Sequence, residues 1–323
     1  MWATLDQVHE RLAAARRALV IGHIRPDGDD ISSVAGLVYI LRRAGKLARG
    51  CIADQLPWYY HALPGTDLIA RPEEVRDFRF DTAITVDASE LARIGEAQAL
   101  LGGSPPDVTL DHHRTNPGFG RLNFCDPRCA ATALIVHEIG KALVTVDAEL
   151  AQILLLGIAT DTGFFKYETA NPAVLATAAE LVQAGGSLPR IAAAVLENRT
   201  LAGLKLLART LDTVTVTAGG KLAYGWVSAG MLRATGCSQE DAEGFVGEIR
   251  ALHGVEVAIL FVEPTPGQVH VSLRSKTHVD VSELAQALGG GGHPRAAGCV
   301  LTVPTLQHAI DKLIPLATTP FTK

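Results

Sequence analysis

Residues 23–30 read HIRPDGDD and set one histidine and three acids, Asp27, Asp29 and Asp30, directly behind the apolar run ALVIG. Two further apolar runs end the same way: TAITV is followed by Asp87, and DVTL by Asp111, His112 and His113. A fourth, the helical AELAQILLLGIA, gives way to a polar turn, TDTG, that carries Asp161. Taken singly, each acid has a plain explanation as a loop residue or helix cap, and Asp29 or Asp30 would suit a helix beginning near Ser33. Taken together they need countercharge, because desolvated carboxylates repel one another. Divalent cations supply it. A set of carboxylates and imidazoles without cysteine favours Mn²⁺ or Mg²⁺ over structural zinc, and the imidazoles tilt the choice toward Mn²⁺. So many side chains oversupply one ion, whereas two ions about 3.5–4 Å apart sharing a carboxylate suit in-line displacement at phosphorus by an activated water.

The elements that must position these groups are visible in the hydrophobic pattern. ALVIG, KLARGCIA, DTAITV and PDVTL alternate with helical stretches such as SVAGLVYILRRAG, which predicts an α/β domain with a mostly parallel sheet and crossover helices. Ligands of such sheets bind outside the carboxyl ends of the strands, so the acids that follow the strands are expected at one edge. QAGGSLP interrupts the pattern, and a helical segment follows to about Leu211. The expected division is a catalytic metal-binding domain over 1–187, a helical linker over 188–211 and a smaller α+β domain over 212–323. In that last part TVTVT and KLAYGWV, joined by AGG, predict a hairpin. A helix over QEDAEGFVGEIRAL, two strands and the helix VSELAQAL follow.

Composition narrows the function classes. The chain has 323 residues, 48% of them hydrophobic, and a formal net charge of -5, which argues against a general binder of long nucleic acid. Aromatics make up 5%, too few for a series of stacking platforms along a single strand. No apolar run is long enough to span a bilayer, and the amphipathic, charged N-terminal segment is unlike a signal peptide, so a soluble cytoplasmic protein is expected. The five cysteines are scattered, which predicts reduced thiols. Cys125 and Cys129 have no second pair with which to form a zinc site.

HIRPDGD, VDAS, DHHRTN and TDTGFF together resemble the four motifs of the DHH phosphoesterase superfamily, present here in order across the first domain. SLRSK and GGGGHPRAAG resemble the DHH-associated domain, in the arrangement of nano-RNase/PAP phosphatases and stand-alone cyclic-dinucleotide phosphodiesterases. The resemblance implies one metal held by His23, Asp27 and Asp87 and a second by Asp29, Asp87, His112 and Asp161, with Asp87 bridging. It implies that His113 faces the substrate, as phosphate contact or proton donor to the leaving group, and that Asp111 orients a neighbouring histidine. The sequence departs from the family where a Gly-Ser pair is usual and Ser32-Ser33 stands; Asp30 is expected to face solvent or cap a helix.

Successive glycine amides can form an anion-binding nest, so Gly290, Gly291 and Gly292, with His293 and Arg295 beyond them, are candidate phosphate ligands. The plainer reading of the run is a helix C-cap, which needs one glycine. No Lys-Ser/Thr pair follows, so this is not a Walker loop. Arg274, Arg114 and Asn116 complete the candidate substrate contacts.

The expected activity is two-metal hydrolysis of very short oligoribonucleotides to mononucleotides, with removal of the 3′-phosphate of 3′-phosphoadenosine 5′-phosphate (PAP) as a second reaction. The expected cofactor is a pair of Mn²⁺ ions, with Mg²⁺ or Co²⁺ as alternatives. A homodimer is usual for proteins resembling this one. Hydrolysis of cyclic di-AMP or linear pApA is the nearest alternative, inorganic pyrophosphatase ranks below it, and a nucleotide sensor with a structural metal site is the non-enzymatic one.

Overall fold

The protein is described by a computed structural model covering residues 1–321. It forms two compact units, Met1–Asn198 and Arg199–Lys323. In the first, the apolar runs become β1 (Arg17–Ile21), β2 (Leu47–Cys51), β3 (Ile69–Ala70), β4 (Thr82–Val86), β5 (Val108–Asp111) and β6 (Leu122–Cys125). Their order is β3-β2-β1-β4-β5-β6, and every neighbouring pair is parallel. β4 and β5 are buried along their whole length. That is why they read as unbroken apolar runs: a parallel sheet is covered on both faces and leaves no solvent side to mark by alternation. Two strands escape the sequence pattern. β3 has only two residues, and β6 carries Asn123, whose side chain is spent on Gly120 and the Met1 carbonyl.

The helices of this unit are α1 (Leu5–Ala14), α2 (Gly28–Arg43), α3 (Pro72–Val75), α4 (Thr132–Leu143), α5 (Ala148–Asp161), α6 (Pro172–Gln183) and α7 (Leu188–Val195). Along β1, Ala18 and Val20 join the core under α2, α4 and α5, while Leu19 and Ile21 join a second core with Ile94 and Ala97 of the 3-10 segment Leu91–Leu101. α2 starts at Gly28, earlier than the expected Ser33, because Asp27 is its N-cap: Asp27 Oδ1 accepts the amides of Asp29 and Asp30 at 3.0 and 3.1 Å. Asp161, expected in a turn, is the last residue of α5.

Two glycines let α2 and α5 approach at the end that carries the acids. A Cβ on Gly28 would lie 2.3 Å from Thr160 Oγ1, and one on Gly157 would lie 2.7 Å from both Asp29 Oδ1 and Ser32 Oγ. Any side chain there would push the first turn of α2 away from the last turn of α5, separating Asp29 from Asp161.

The expected linker over 188–211 is two helices. α7 packs Ile191 and Ala194 into the first unit's core, and α8 (Leu201–Leu211) packs Leu206 into a core of the second. The second unit continues with β7 (Thr215–Thr217), β8 (Leu222–Val227), α9 (Ala229–Thr235), α10 (Phe245–Arg250), β9 (Val257–Thr265), β10 (Gln268–Ser275), α11 (Val281–Gln286), β11 (Gly291–His293), β12 (Ala296–Thr302) and α12 (Leu306–Thr318). Its sheet runs β11-β12-β10-β9-β8-β7, antiparallel except for β8 beside β9. The β7–β8 pair is the expected hairpin. QEDAEGFVGEIRAL, expected as one helix, is a 3-10 turn over Glu240–Ala242 followed by α10. Among the described residues no helix is long and apolar enough to cross a membrane.

One buried carboxylate organises the loop between β10 and α11. Glu256 accepts the backbone N–H groups of Thr277, His278 and Val279 at 3.0, 2.8 and 3.1 Å, and the Thr277 hydroxyl at 2.8 Å. Burial alone would raise its pKa, but these donors outweigh burial and bring it down from 4.5 to about 2. A depressed carboxyl stabilises the fold fully above its unfolded value and loses that contribution as pH falls toward the folded one. Glu256→Gln should therefore cost about 2 kcal/mol at pH 7, read as a lower denaturation midpoint by circular dichroism. The gap to wild type should close between pH 4.5 and pH 2. A gap independent of pH over that range would show that the charge is not its source.

Candidate active site

Sheet order decides where the chemistry collects. From β1 the chain winds to β2 and β3 on one side, then returns to β4, β5 and β6 on the other, so β1 and β4 flank a topological switch point. His23 follows β1 by two residues, Asp87 follows β4 directly, and Asp111 ends β5 with His112 and His113 next. Asp87 adopts a left-handed backbone, φ 55°, a conformation aspartate tolerates better than most residues, while its N–H remains bonded to Leu110 O at 2.9 Å.

Two clusters form around this one carboxylate. Asp87 Oδ2 lies 3.6 Å from His23 Nε2, which is 4.0 Å from Asp27 Oδ2. Asp87 Oδ1 lies 3.4 Å from His112 Nε2, which is 3.5 Å from Asp161 Oδ2 and 3.8 Å from Asp29 Oδ2. These separations are too long for hydrogen bonds. They match donors around a shared cation, which at about 2.1 Å from each ligand leaves the ligands roughly 3–4 Å apart. Both histidines are oriented for that use, since Nδ1 of His23 sits 2.8 Å from Ile24 O and Nδ1 of His112 sits 3.1 Å from Cys129 O. A hydrogen on Nδ1 donated to a carbonyl leaves the Nε2 lone pair facing the carboxylates. The donor set therefore fits divalent cations. Cys125 and Cys129 lie close by in sequence, but burial pushes their thiols up to about 12 and 11, so they offer no thiolate near neutral pH.

The electrostatics show what the cluster does without countercharge. Burial and then the Asp87 and Asp161 charges hold the Asp29 carboxyl well above its ordinary value. Burial, reinforced by Asp27 and Asp87, pushes Asp161 up to about 7. Burial would lower the His23 pKa, yet Asp30, Asp87 and Asp27 raise it to about 10. His112 is likewise raised, against its burial, by Asp87, Asp161 and Asp29. Asp87, held well below the carboxylate range by His112 and His23 in spite of burial, is the charge that the others adjust to.

Asp30 departs from expectation. It is fully buried, neither exposed nor a cap, and its Oδ1 accepts the His23 N–H at 2.9 Å. A Cβ on Gly22 would lie 2.3 Å from that oxygen, so the glycine makes room for it. Burial pushes Asp30 up to about 7. Asn116, expected at the substrate, is also buried and committed: its Nδ2 donates to Asp111 Oδ2 at 2.6 Å and Ala88 O at 3.1 Å, and its Oδ1 accepts the Gly118 N–H. It braces Asp111, whose Oδ1 lies 2.7 Å from His113 Nδ1 and accepts the His112 N–H at 2.8 Å. Arg114 is exposed on the same loop.

In the second unit, the glycine run is not one continuous nest. Gly289 N–H and Gly290 N–H close the end of α11 on Gln286 O and Ala285 O, and Gly291, Gly292 and His293 pair with β12 as an edge strand. A Cβ on Gly290 would lie 2.2 Å from Gly298 O and one on Gly292 would lie 2.5 Å from Ala296 O, which accounts for glycine at both positions. Arg295 Nη1 donates to Val279 O at 2.7 Å, and Arg274 Nη1 to Leu273 O at 3.0 Å.

Two residues of the first unit's site carry no signal in the sequence pattern. Thr132 opens α4, where its N–H and that of Ala133 donate to the two Asp29 oxygens at 2.6 and 2.9 Å, while its hydroxyl donates to Asp87 Oδ1 at 2.9 Å. Arg93, in the 3-10 segment, places Nη2 3.2 Å from His23 Nδ1. Thr132 stands inside α4 behind an Ala131 N-cap, so no capping signal marks it, and nothing local suggests Arg93.

Residues 17–158 match the DHH family, N-terminal domain, and residues 219–318 match the DHHA1 domain. The chain is 35% identical to the bifunctional oligoribonuclease and PAP phosphatase NrnA of Thermus thermophilus over 97% of its own length and 93% of the relative's. It is 26% identical to the Bacillus subtilis protein of the same name over 85% and 86%. An exopolyphosphatase-related protein from Bacteroides fragilis has the same fold, with TM-score 0.88 at 22% identity over 99% of this chain and 97% of that one.

Groups that hold protons near neutral pH must release them to bind a cation. Titrating the chelator-treated protein with Mn²⁺ at pH 7 should release on the order of one to two protons per chain, read by calorimetry in buffers of different ionisation enthalpy. Asp161→Asn should reduce that number. Uptake of Mn²⁺ without proton release would contradict the raised values at His23 and Asp161.

Proposed function

The chain belongs to the DHH family of phosphoesterases, and we propose that it hydrolyses very short oligoribonucleotides to mononucleotides and removes the 3′-phosphate of PAP. The observation that carries this reading is the full-length likeness to relatives bearing both activities in their names, joined to a carboxylate–histidine cluster of the kind both reactions require. In this reading His23, Asp27 and Asp87 hold one cation, and Asp29, Asp87, His112 and Asp161 hold the other. When bound, two divalent cations supply the Lewis-acid charge and the lowered water pKa on which phosphoester hydrolysis at neutral pH depends. Mn²⁺ suits the mixed imidazole and carboxylate set best.

The remaining steps belong to the chain's own residues. Asp111 fixes His113 through Nδ1, and Asn116 fixes Asp111, so that His113 Nε2 delivers the proton to the departing oxygen. Arg114, Arg274, His293 and Arg295 are the basic residues that meet substrate phosphates, with Gly290–Gly292 giving close backbone approach at the second unit. The enzyme acts as a cytoplasmic homodimer, a setting that suits its free cysteines.

With Mn²⁺, wild-type protein should convert pApA and RNA dimers to pentamers into mononucleotides and release phosphate from PAP, and chelator should stop both. His113→Ala should lower kcat by about 10²–10⁴-fold, and Asp87→Ala should abolish turnover while leaving the far-ultraviolet circular dichroism unchanged. Wild-type turnover in a folded Asp87→Ala protein would remove the shared carboxylate from the scheme. Preference for cyclic di-AMP over all other substrates would make this a cyclic-dinucleotide phosphodiesterase, and light scattering decides the oligomeric state.

A further inference from the structure

Arg93 is a cation with no role in the scheme above. Its carbonyl accepts the Ile24 N–H at 2.7 Å, so its backbone is tied to the loop that carries His23 and Asp27. Its half-buried guanidinium pairs with no carboxylate among the described residues, and its one hydrogen-bond contact is Nη2 to His23 Nδ1 at 3.2 Å. The same Nδ1 is only 2.8 Å from Ile24 O. A ring nitrogen either carries a hydrogen or offers a lone pair, so it serves the carbonyl or the arginine and not both.

Use of His23 as a ligand decides between them. With the Nε2 lone pair directed to the cluster, Nδ1 carries the hydrogen, donates it to Ile24 O and cannot accept from Arg93. The guanidinium then stands against an N–H, partly removed from water, beside a site that favours cations. An unpaired charge in that position is costly, and an anion relieves it. Guanidinium forks match phosphate oxygens in geometry and charge.

We propose that Arg93 binds a nonbridging oxygen of the substrate phosphate at the His23 side of the site, because a His23 ring whose Nδ1 donates to Ile24 O offers the guanidinium no acceptor. The proposal rests on the phosphoesterase reading, and it adds to the site a phosphate-binding residue on the first unit itself.

The test uses full-length, Mn²⁺-loaded wild type, Arg93→Ala and Arg93→Lys. Binding of AMP and of inorganic phosphate is followed by calorimetry, pApA turnover by steady-state kinetics, and Mn²⁺ uptake separately. Arg93→Ala should weaken AMP and phosphate about tenfold or more and raise KM for pApA by a similar factor. It should leave kcat within a few-fold and Mn²⁺ uptake unchanged. Arg93→Lys should recover part of the affinity. Unchanged affinity for both anions in Arg93→Ala at full Mn²⁺ occupancy would overturn the proposal. So would a parallel loss of Mn²⁺ uptake, which would make Arg93 a support for His23. If wild type binds AMP through Arg93 yet turns over neither pApA nor PAP, the functional reading fails while the phosphate site stands.

Discussion

Mutual repulsion among buried carboxylates is the constraint on which the first unit depends. Asp29, Asp30 and Asp87 are almost completely buried, and Asp27 and Asp161 converge on the same place. The Arg93 guanidinium reaches the His23 ring and not one of these carboxylates. The protein reduces the repulsion with dipoles and imidazoles. The amides that open α4 hold Asp29, those that open α2 hold Asp27, and His23 and His112 divide the two oxygens of Asp87. Helix N-termini favour negative charge, so the start of each helix is also an electrostatic support. The remaining imbalance raises the pKa values of Asp161 and His23, a deficit of positive charge that cations would fill.

The fold exists in the form needed to maintain that crowding. A parallel sheet with its switch point between β1 and β4 delivers His23 and Asp87 from neighbouring strands, and β5 adds Asp111 and His112. The fourth acid comes from a helix, and it arrives only because Gly28 and Gly157 allow α2 and α5 to touch. α5 is apolar almost throughout, so its burial against α2 drives the contact that the carboxylates alone would oppose.

Residues that announce themselves by charge at the end of an apolar run were readable from the sequence. The parallel sheet, the strand-end acids and the histidine pair all follow from patterns with a local cause. What stayed hidden depends on packing between distant segments. Asp30 looks like a surface acid because its burial is licensed by Gly22, eight residues away in the loop that leaves β1. Asn116 looks like a ligand residue because its partners, Asp111 and Ala88, meet only when β4 and β5 pair. The glycine run looks like a nest because the strand that crowds Gly290 and Gly292 follows it in sequence and folds back upon it. In each case composition was read correctly and the neighbour that gives it meaning was nonlocal.

The two halves of the cluster are not equivalent. Asp29 is 1% exposed and sits under the amides of α4, whereas the Asp27 side chain is 52% exposed at the edge of its helix. Each half nevertheless keeps one acid within reach of solvent, Asp27 beside His23 and the 25% exposed Asp161 beside His112, while both imidazoles are buried. Asp30 and Arg93 both act on the His23 half, one through the His23 backbone N–H and the other at the His23 ring. An acid behind the imidazole strengthens its basicity, and an arginine beside it opposes protonation. Their opposition bears on His23, which shares the single Asp87 carboxylate with His112.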